Sequence, residues 1–133
     1  MKKSMAGILA AGTAIVLLSG CASVQTAKSL NGQKIDAAGT PVAHINAKNW
    51  GLYLLSIPLI SGTTDAGTVG KIGFGKDTVN VASMVDVVTR ESKTLGGTKT
   101  LDLVSHAGSM MMPLPIPFIF YFTNVEVSGN AVK

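Results

Sequence analysis

The sequence predicts a small α+β domain in which one amphipathic helix packs on one face of a small antiparallel sheet, in the order β-α-β-β. Three observations lead to this fold class. Residues 77–96 repeat apolar side chains with a helical period, residues 98–106 and 118–132 alternate apolar and polar side chains, and residues 41–62 are rich in β-branched and aromatic residues. One helix covering one face of a sheet is the simplest way to bury these stripes.

The helix prediction over residues 77–96 depends on apolar offsets and on end signals. Asp77 or Thr78 can cap its N-terminus, and Gly96 or Gly97 can adopt the left-handed conformation that ends it. The residues on its apolar stripe are Val81, Met84, Val85, Val88 and Leu95.

The strand predictions differ in length and strength. Residues 41–62 read as one bent strand or two short ones, because Gly51 and Pro58 interrupt them. Residues 67–75 hold four glycines and indicate a loop or a short, weak strand. The last two strands, 98–106 and 118–132, are expected to pair as a hairpin.

Charge patterning argues against nucleic acid as a partner. The chain has 133 residues, of which only 14% are charged, and its formal net charge is +4. Lys2 and Lys3 contribute part of that charge from the N-terminal leader, and the other cationic residues are scattered along the chain. A nucleic-acid-binding protein gathers such residues on one face or stripe.

The N-terminus has the three-part plan of an export signal. Two lysines precede an apolar run from 5 to 18, which is short for a membrane span. The run ends in a four-residue box that resembles the lipobox of bacterial lipoproteins, in which a diacylglyceryl group is attached to the cysteine thiol before cleavage. The residues of this box are Leu18, Ser19, Gly20 and Cys21.

This resemblance implies a lipid anchor on Cys21, which is also the only cysteine in the chain. Because Ala22, rather than Asp, follows Cys21, the resemblance implies an outer-membrane destination, with the domain facing the periplasm. The expected organisation is a signal peptide over 1–20, the lipidated cysteine and a flexible tether over 21–40, and a single α+β domain over 41–133.

A charge-free stretch, "MMMPLPIPFIFYF" over 110–122, is the most unusual feature of the expected domain. It is too short to cross a bilayer, and its three prolines exclude a regular helix. We expect a loop or edge segment over 106–117, followed by a strand, and we expect 113–119 to lie beside 54–60. The residues proposed to contact another protein or the bilayer interface are Met110, Met111, Met112, Leu114 and Ile116.

Other kinds of site are less well supported by the sequence. The spacing from Gly70 to Lys76 resembles a phosphate-binding loop, but Asp77 follows where Ser or Thr is required. A hydrolase would have to use His44 or His106, and no nucleophile motif accompanies either of them. The run Met110–Met112 could offer thioethers to copper(I), although consecutive residues seldom converge on one metal. We therefore expect no cofactor and no metal.

The order of elements over 79–132, ending in "VEVSGNAV", resembles that of small bacterial lipoproteins of the TRL-like family and of the dodecin-like βαββ proteins. The resemblance implies an α+β sandwich and allows oligomerisation through sheet edges, but it transfers no functional residue. The expected function is a non-enzymatic interaction or structural module of the cell envelope, with a homo-oligomer or an envelope protein as partner. The alternatives are a periplasmic binding protein for an apolar ligand or a soft metal, and a small hydrolase.

Overall fold

The computed structural model describes residues 22–29, 35, 38–112 and 119–133. This part of the chain is a small α+β fold with one antiparallel sheet of six strands and one helix. In chain order the elements are β1 Ala22–Ala27, β2 Pro41–Leu54, β3 Ile57–Gly62, β4 Ile72–Phe74, α1 Val81–Thr94, β5 Lys99–Met111 and β6 Phe120–Val132.

The sheet has the strand order β4-β3-β2-β6-β5, and β1 joins it at the side of β2. The long strand β2 has two partners in succession, since β1 pairs with its first half and β3 with its last residues. Four strands therefore precede the helix, so the order differs from the predicted β-α-β-β. The strand β1 was missed, because it lies in the segment expected to be a tether. The three strands of 41–75 fall within the stated alternatives of two strands in 41–62 and a short strand in 67–75.

Strand β1 corrects the first part of the predicted tether over 21–40. Its register runs from Ala22 opposite Asn49 to Ala27 opposite His44, and the side chain of Ala22 is buried. The polar, small residues of this strand lack an apolar period, so its place in the sheet is set by pairing with β2. Residues 30–34 and 36–37 lie outside the described residues.

The hydrophobic core lies between the sheet and α1. Odd-numbered residues of β2 and β6 point toward the helix, because successive side chains of a strand alternate between its two faces. The core residues are Ile45, Ala47, Tyr53, Val79, Met84, Val87, Val88, Val125, Val127 and Ala131. We call the opposite side of the sheet, presented by the even-numbered residues of β2 and β6, the outer face.

The helix begins one turn later than the capping residues expected from the sequence. Asn80 is the N-cap, and its side chain accepts a hydrogen bond of 2.8 Å from the backbone N–H of Ser83. The expected cap Asp77 does not bind the helix N-terminus, because its carboxylate accepts a hydrogen bond from Tyr53. At the other end Gly96 has a φ of 88°, the left-handed conformation expected after a helix.

The buried residues of α1 are Met84, Val87, Val88 and Ser92. Val81, which the apolar offsets placed on the buried stripe, is exposed at the start of the helix, and Val87 and Ser92 replace it. The apolar residues of α1 lie on two adjacent stripes of the helix. Packing against β2, β5 and β6 determines which of the two stripes is buried.

The strand β5 extends further than its predicted end at residue 106. It continues to Met111, which lies opposite Tyr121, and the N–H of Met112 donates to the carbonyl of Phe120. Residues 106–111, expected to be a loop or an edge segment, therefore form a hairpin arm with β6 at the edge of the sheet. The predicted pairing of the last two strands is confirmed. The proline-rich segment 113–118 lies outside the described residues.

Candidate functional site: an apolar row on the outer face

One row of apolar side chains crosses the outer face from one edge of the sheet to the other. Consecutive members of the row are paired by strand register, so each lies directly opposite the next. With strands about 4.8 Å apart, five strands give a row about 19 Å wide. The members of this apolar row are Phe74 of β4, Ile60 of β3, Leu52 of β2, Phe122 of β6 and Met110 of β5.

The two ends of the apolar row are open to solvent, and its centre is partly exposed. Phe74 is 74% exposed and Met110 is 66% exposed, while the three central members are half-buried by their neighbours in the sheet. Trp50 lies beside the row and stacks on Phe122, with ring centroids 5.1 Å apart and an angle of 29° between the ring planes. An exposed apolar surface of this extent is typical of contact with another molecule or with a membrane.

The sheet end beyond the apolar row is also apolar. Leu54 lies opposite both Ile57 and Phe120. At the tip of the β2–β3 hairpin, the N–H of Leu55 donates to the carbonyl of Ile119 over 2.7 Å. The prediction that 113–119 lies beside 54–60 is thereby confirmed for Ile119, its one described residue.

The other end of the outer face is polar, so the face is divided along its length. His44 Nδ1 lies 2.8 Å from Asn130 Oδ1, and Asn130 Nδ2 donates to Asp102 over 3.0 Å. Asn46 Nδ2 donates to Glu126 over 2.7 Å. These hydrogen bonds link polar side chains of β2, β6 and β5 to one another across the outer face.

The two histidines lie within strands, His44 in β2 and His106 in β5. His106 lies in the middle of its strand, opposite Glu126. Its neighbour Ser105 points to the other face of the sheet, as adjacent residues of a strand must. His44 is oriented by an amide and not by a hydroxyl. This geometry does not assemble a nucleophile and base from Ser105 and His106.

The methionines proposed as a contact surface are placed on two faces. Met110 belongs to the apolar row, whereas Met111 lies opposite Tyr121 on the side of the helix, and Met112 follows the end of β5. All three are exposed. Because Met110 and Met111 point in opposite directions, their thioethers cannot converge on one copper ion. The other two proposed contact residues, Leu114 and Ile116, lie outside the described residues.

A cleft of about 520 Å³ lies beside β1 on the helix side of the sheet. Val24, Val69 and Val87 contribute apolar surface, and Arg90 and Glu91 contribute charge. Arg90 is already engaged, since it donates to the carbonyl of Thr64 and lies 3.4 Å from Asp86. This lining is too polar for a purely apolar ligand and offers no free cation for an anionic one.

A buried polar cluster fixes the segment before α1 to the sheet. Asn49 is fully buried, and its Nδ2 donates to the carbonyls of Gly62 and Thr78, each over 3.1 Å. Ser61 Oγ donates to the carbonyl of Lys76 over 2.7 Å. Asn49 Oδ1 has no hydrogen-bond partner among the described residues. The cluster lies where β1 begins and β3 ends, and it joins that part of the sheet to the segment before α1.

The apolar row was not anticipated as a unit, although part of its signal is visible in the sequence. Trp50, Leu52 and Leu54 occupy alternate positions of β2, so they share one face of the strand. This face is apolar although the core lies on the other face. The remaining members come from four other strands. Only the strand register brings them to the same level of the sheet.

Comparison of the chain with protein-family models, with characterised proteins and with solved structures found no match. Among the residues that the structure describes, no helix combines the length and the apolar character needed to cross a membrane. The lipobox residues Leu18, Ser19, Gly20 and Cys21 precede the described part of the chain.

Proposed function

We propose that this protein is a non-enzymatic lipoprotein of the bacterial cell envelope, anchored to the outer membrane through Cys21, and that its apolar row rests on the bilayer interface. The observation that carries the proposal is the row itself, which crosses all five strands of the path from β4 to β5 on the outer face. Burial of that area in the interface would remove its apolar surface from water.

The position of β1 supports the bilayer as the occupant of this surface. Ala22 is paired with Asn49, the residue that precedes Trp50 in β2. Consecutive Cα atoms are about 3.8 Å apart, so an acylated Cys21 would attach its lipid within one residue of the sheet and close to the level of the apolar row. Such an anchor has no long spacer, and it would hold the folded domain against the membrane.

The role of lipidation is tested with a Cys21→Ser variant. We expect the wild type to fractionate with the outer membrane and to carry the mass of an acyl-modified cysteine. Cys21→Ser should lose both that mass and the outer-membrane location. An unmodified Cys21 in the membrane fraction would contradict the anchor, whatever the apolar row does.

The role of the apolar row is tested separately, in the absence of the anchor. Cys21→Ser protein that starts at residue 21, and so lacks both acyl chains and the apolar leader, is mixed with vesicles of phosphatidylethanolamine and phosphatidylglycerol, with and without Phe74→Ser. Phe74 is exposed on the short strand β4, so its replacement leaves the core intact. Withdrawal of one aromatic side chain from the interface should weaken binding about tenfold.

Val81→Ser is the matched control, because Val81 is an exposed apolar residue at the start of α1, on the opposite side of the sheet. Equal vesicle affinities of the Phe74→Ser and Val81→Ser proteins would contradict a specific role of the row.

A further inference from the structure

Strand β5 is an unusually open edge of the sheet. It has thirteen residues, none of which is buried, and its neighbour in the described chain is β6 on one side only. The opposite edge consists of the three-residue strand β4 and the six-residue strand β1, each of which offers less backbone for pairing than β5. A long exposed edge is a template for another strand, and proteins that stay monomeric normally protect it.

The usual protective devices occur only at the start of β5. Asp102 has a φ of 52° at the irregularity between Leu101 and Val104, which places a charge and a bulge there. From 103 to 112 the sequence "LVSHAGSMMM" contains no proline and no Asp, Glu, Lys or Arg. This half of the edge is therefore not defended against pairing.

The backbone groups available for pairing can be assigned from the hairpin. The N–H of Met112 donates to the carbonyl of Phe120, so it points toward β6. N–H groups alternate between the two sides of a strand, and a residue of an antiparallel strand directs its N–H and C=O to the same side. The backbone groups of Ser105, Ala107 and Ser109 therefore point outward from the sheet.

The side chains of this edge are symmetric about Ala107. Ser105 and Ser109 stand two positions to either side of it. Val104, 64% exposed, and Met110, 66% exposed, stand three positions away on the outer face. Leu103 and Met111, 44% and 40% exposed, stand four positions away on the helix side, where Leu103 approaches Gly129.

We propose that β5 pairs with β5 of a second copy of this chain, antiparallel and centred on Ala107. In this register Val104 of each copy meets Met110 of the other, Leu103 meets Met111, and the serines meet one another. Four of the five large exposed apolar residues between 103 and 112 are then matched across strands, and the fifth, Met112, lies opposite Asp102 beyond the end of β5. A two-fold axis through Ala107 closes the assembly as a dimer.

The dimer also orients the two outer faces. A two-fold axis perpendicular to the sheet joins the two sheets edge to edge and leaves both helices on one side. The apolar rows of both copies then lie on the other side, so one flat surface could present both to the same membrane. This orientation follows from antiparallel edge pairing alone and does not require membrane binding.

Ala107→Pro tests the pairing without disturbing the monomer. Proline removes an N–H that points away from β6, so the hairpin keeps its hydrogen bonds while the outward edge is blocked. By sedimentation in mild detergent we expect wild-type protein and the control Ala107→Val to be dimeric and Ala107→Pro to be monomeric. Circular dichroism establishes that each variant is folded. A monomeric wild type, or a dimeric, folded Ala107→Pro, would overturn the proposal.

The register is tested by cross-linking in a Cys21→Ser background. Val104→Cys and Met110→Cys proteins, when mixed and oxidised, should form a disulfide between copies. Each variant alone should not, because six residues place identical positions about 20 Å apart across the axis. Cross-linking of either variant alone, or the absence of a disulfide between the two variants in the mixture, would contradict the register.

Discussion

At the scale of single residues, Tyr53 and Asn49 explain why the segment before α1 has a defined course. Tyr53 is buried between the sheet and the helix, and its hydroxyl donates a hydrogen bond of 2.7 Å to the Asp77 carboxylate. Burial raises the pKa of Tyr53, and the hydrogen bond to the Asp77 carboxylate raises it further. Asn49 fixes the next residues of the same segment through Thr78. Both contacts draw 76–80 onto the sheet and set the start of the helix.

A pH dependence of stability follows from Tyr53. Its ordinary pKa is 10.0, and the folded value lies above that. Between the two values the unfolded chain loses the phenol proton while the folded chain keeps it, so unfolding is favoured as pH rises. We expect the free energy of unfolding to fall above about pH 10 in the wild type, and Tyr53→Phe to fall less steeply.

Urea unfolding of both proteins at several alkaline pH values measures the difference between the two slopes. Tyr121→Phe is the control, since this second tyrosine is half-exposed and makes no such contact with Asp77. Parallel pH profiles for the wild type and Tyr53→Phe would contradict a raised pKa at Tyr53.

At the scale of elements, the sequence predicted those whose signal is local. Val125 and Val127 alternate with polar residues in β6, and the apolar offsets of 81–95 mark a helix. Strand β1 was not predicted, because its small polar residues adopt an extended conformation by pairing with β2. No short stretch of sequence reveals that pairing. The extension of β5 from 107 to 111 was not predicted for the same reason, since it depends on pairing with β6.

The ends of elements show the same limit. Asp77, Thr78 and Asn80 are all competent caps by residue type. Tertiary contacts of the first two leave the cap to Asn80. A pattern of residue types could therefore place the helix within one turn, but could not choose its first residue.

The cap at Asn80 gives a prediction at this scale. Asn80→Ala should lower the free energy of unfolding by about 1 kcal/mol, because the N–H of Ser83 loses its acceptor. Asn80→Ser retains a side-chain acceptor and should lose much less. Urea unfolding of the two variants measures the difference, and equal losses would show that the helix does not depend on this cap.

At the scale of the whole molecule, the two faces of the sheet differ in what they contact. The helix side carries the core, and the outer face carries a polar half and an apolar half. The sequence indicated a large apolar surface near the C-terminus, but attributed it to the loop after residue 106. The structure distributes that surface over five strands, because register, and not proximity in sequence, brings Phe74 and Met110 into one row.

The most direct test of the membrane-facing row uses Trp50, the only tryptophan of the chain, which stacks on Phe122 beside the row. Wild-type acylated protein is reconstituted into vesicles whose lipids carry bromine in the acyl chains, and tryptophan fluorescence is recorded. If the apolar row rests in the interface, Trp50 emission should shift to shorter wavelength and be strongly quenched by the bromine. Unshifted, unquenched emission from vesicle-bound protein would mean that the outer face points away from the bilayer, and would contradict the account.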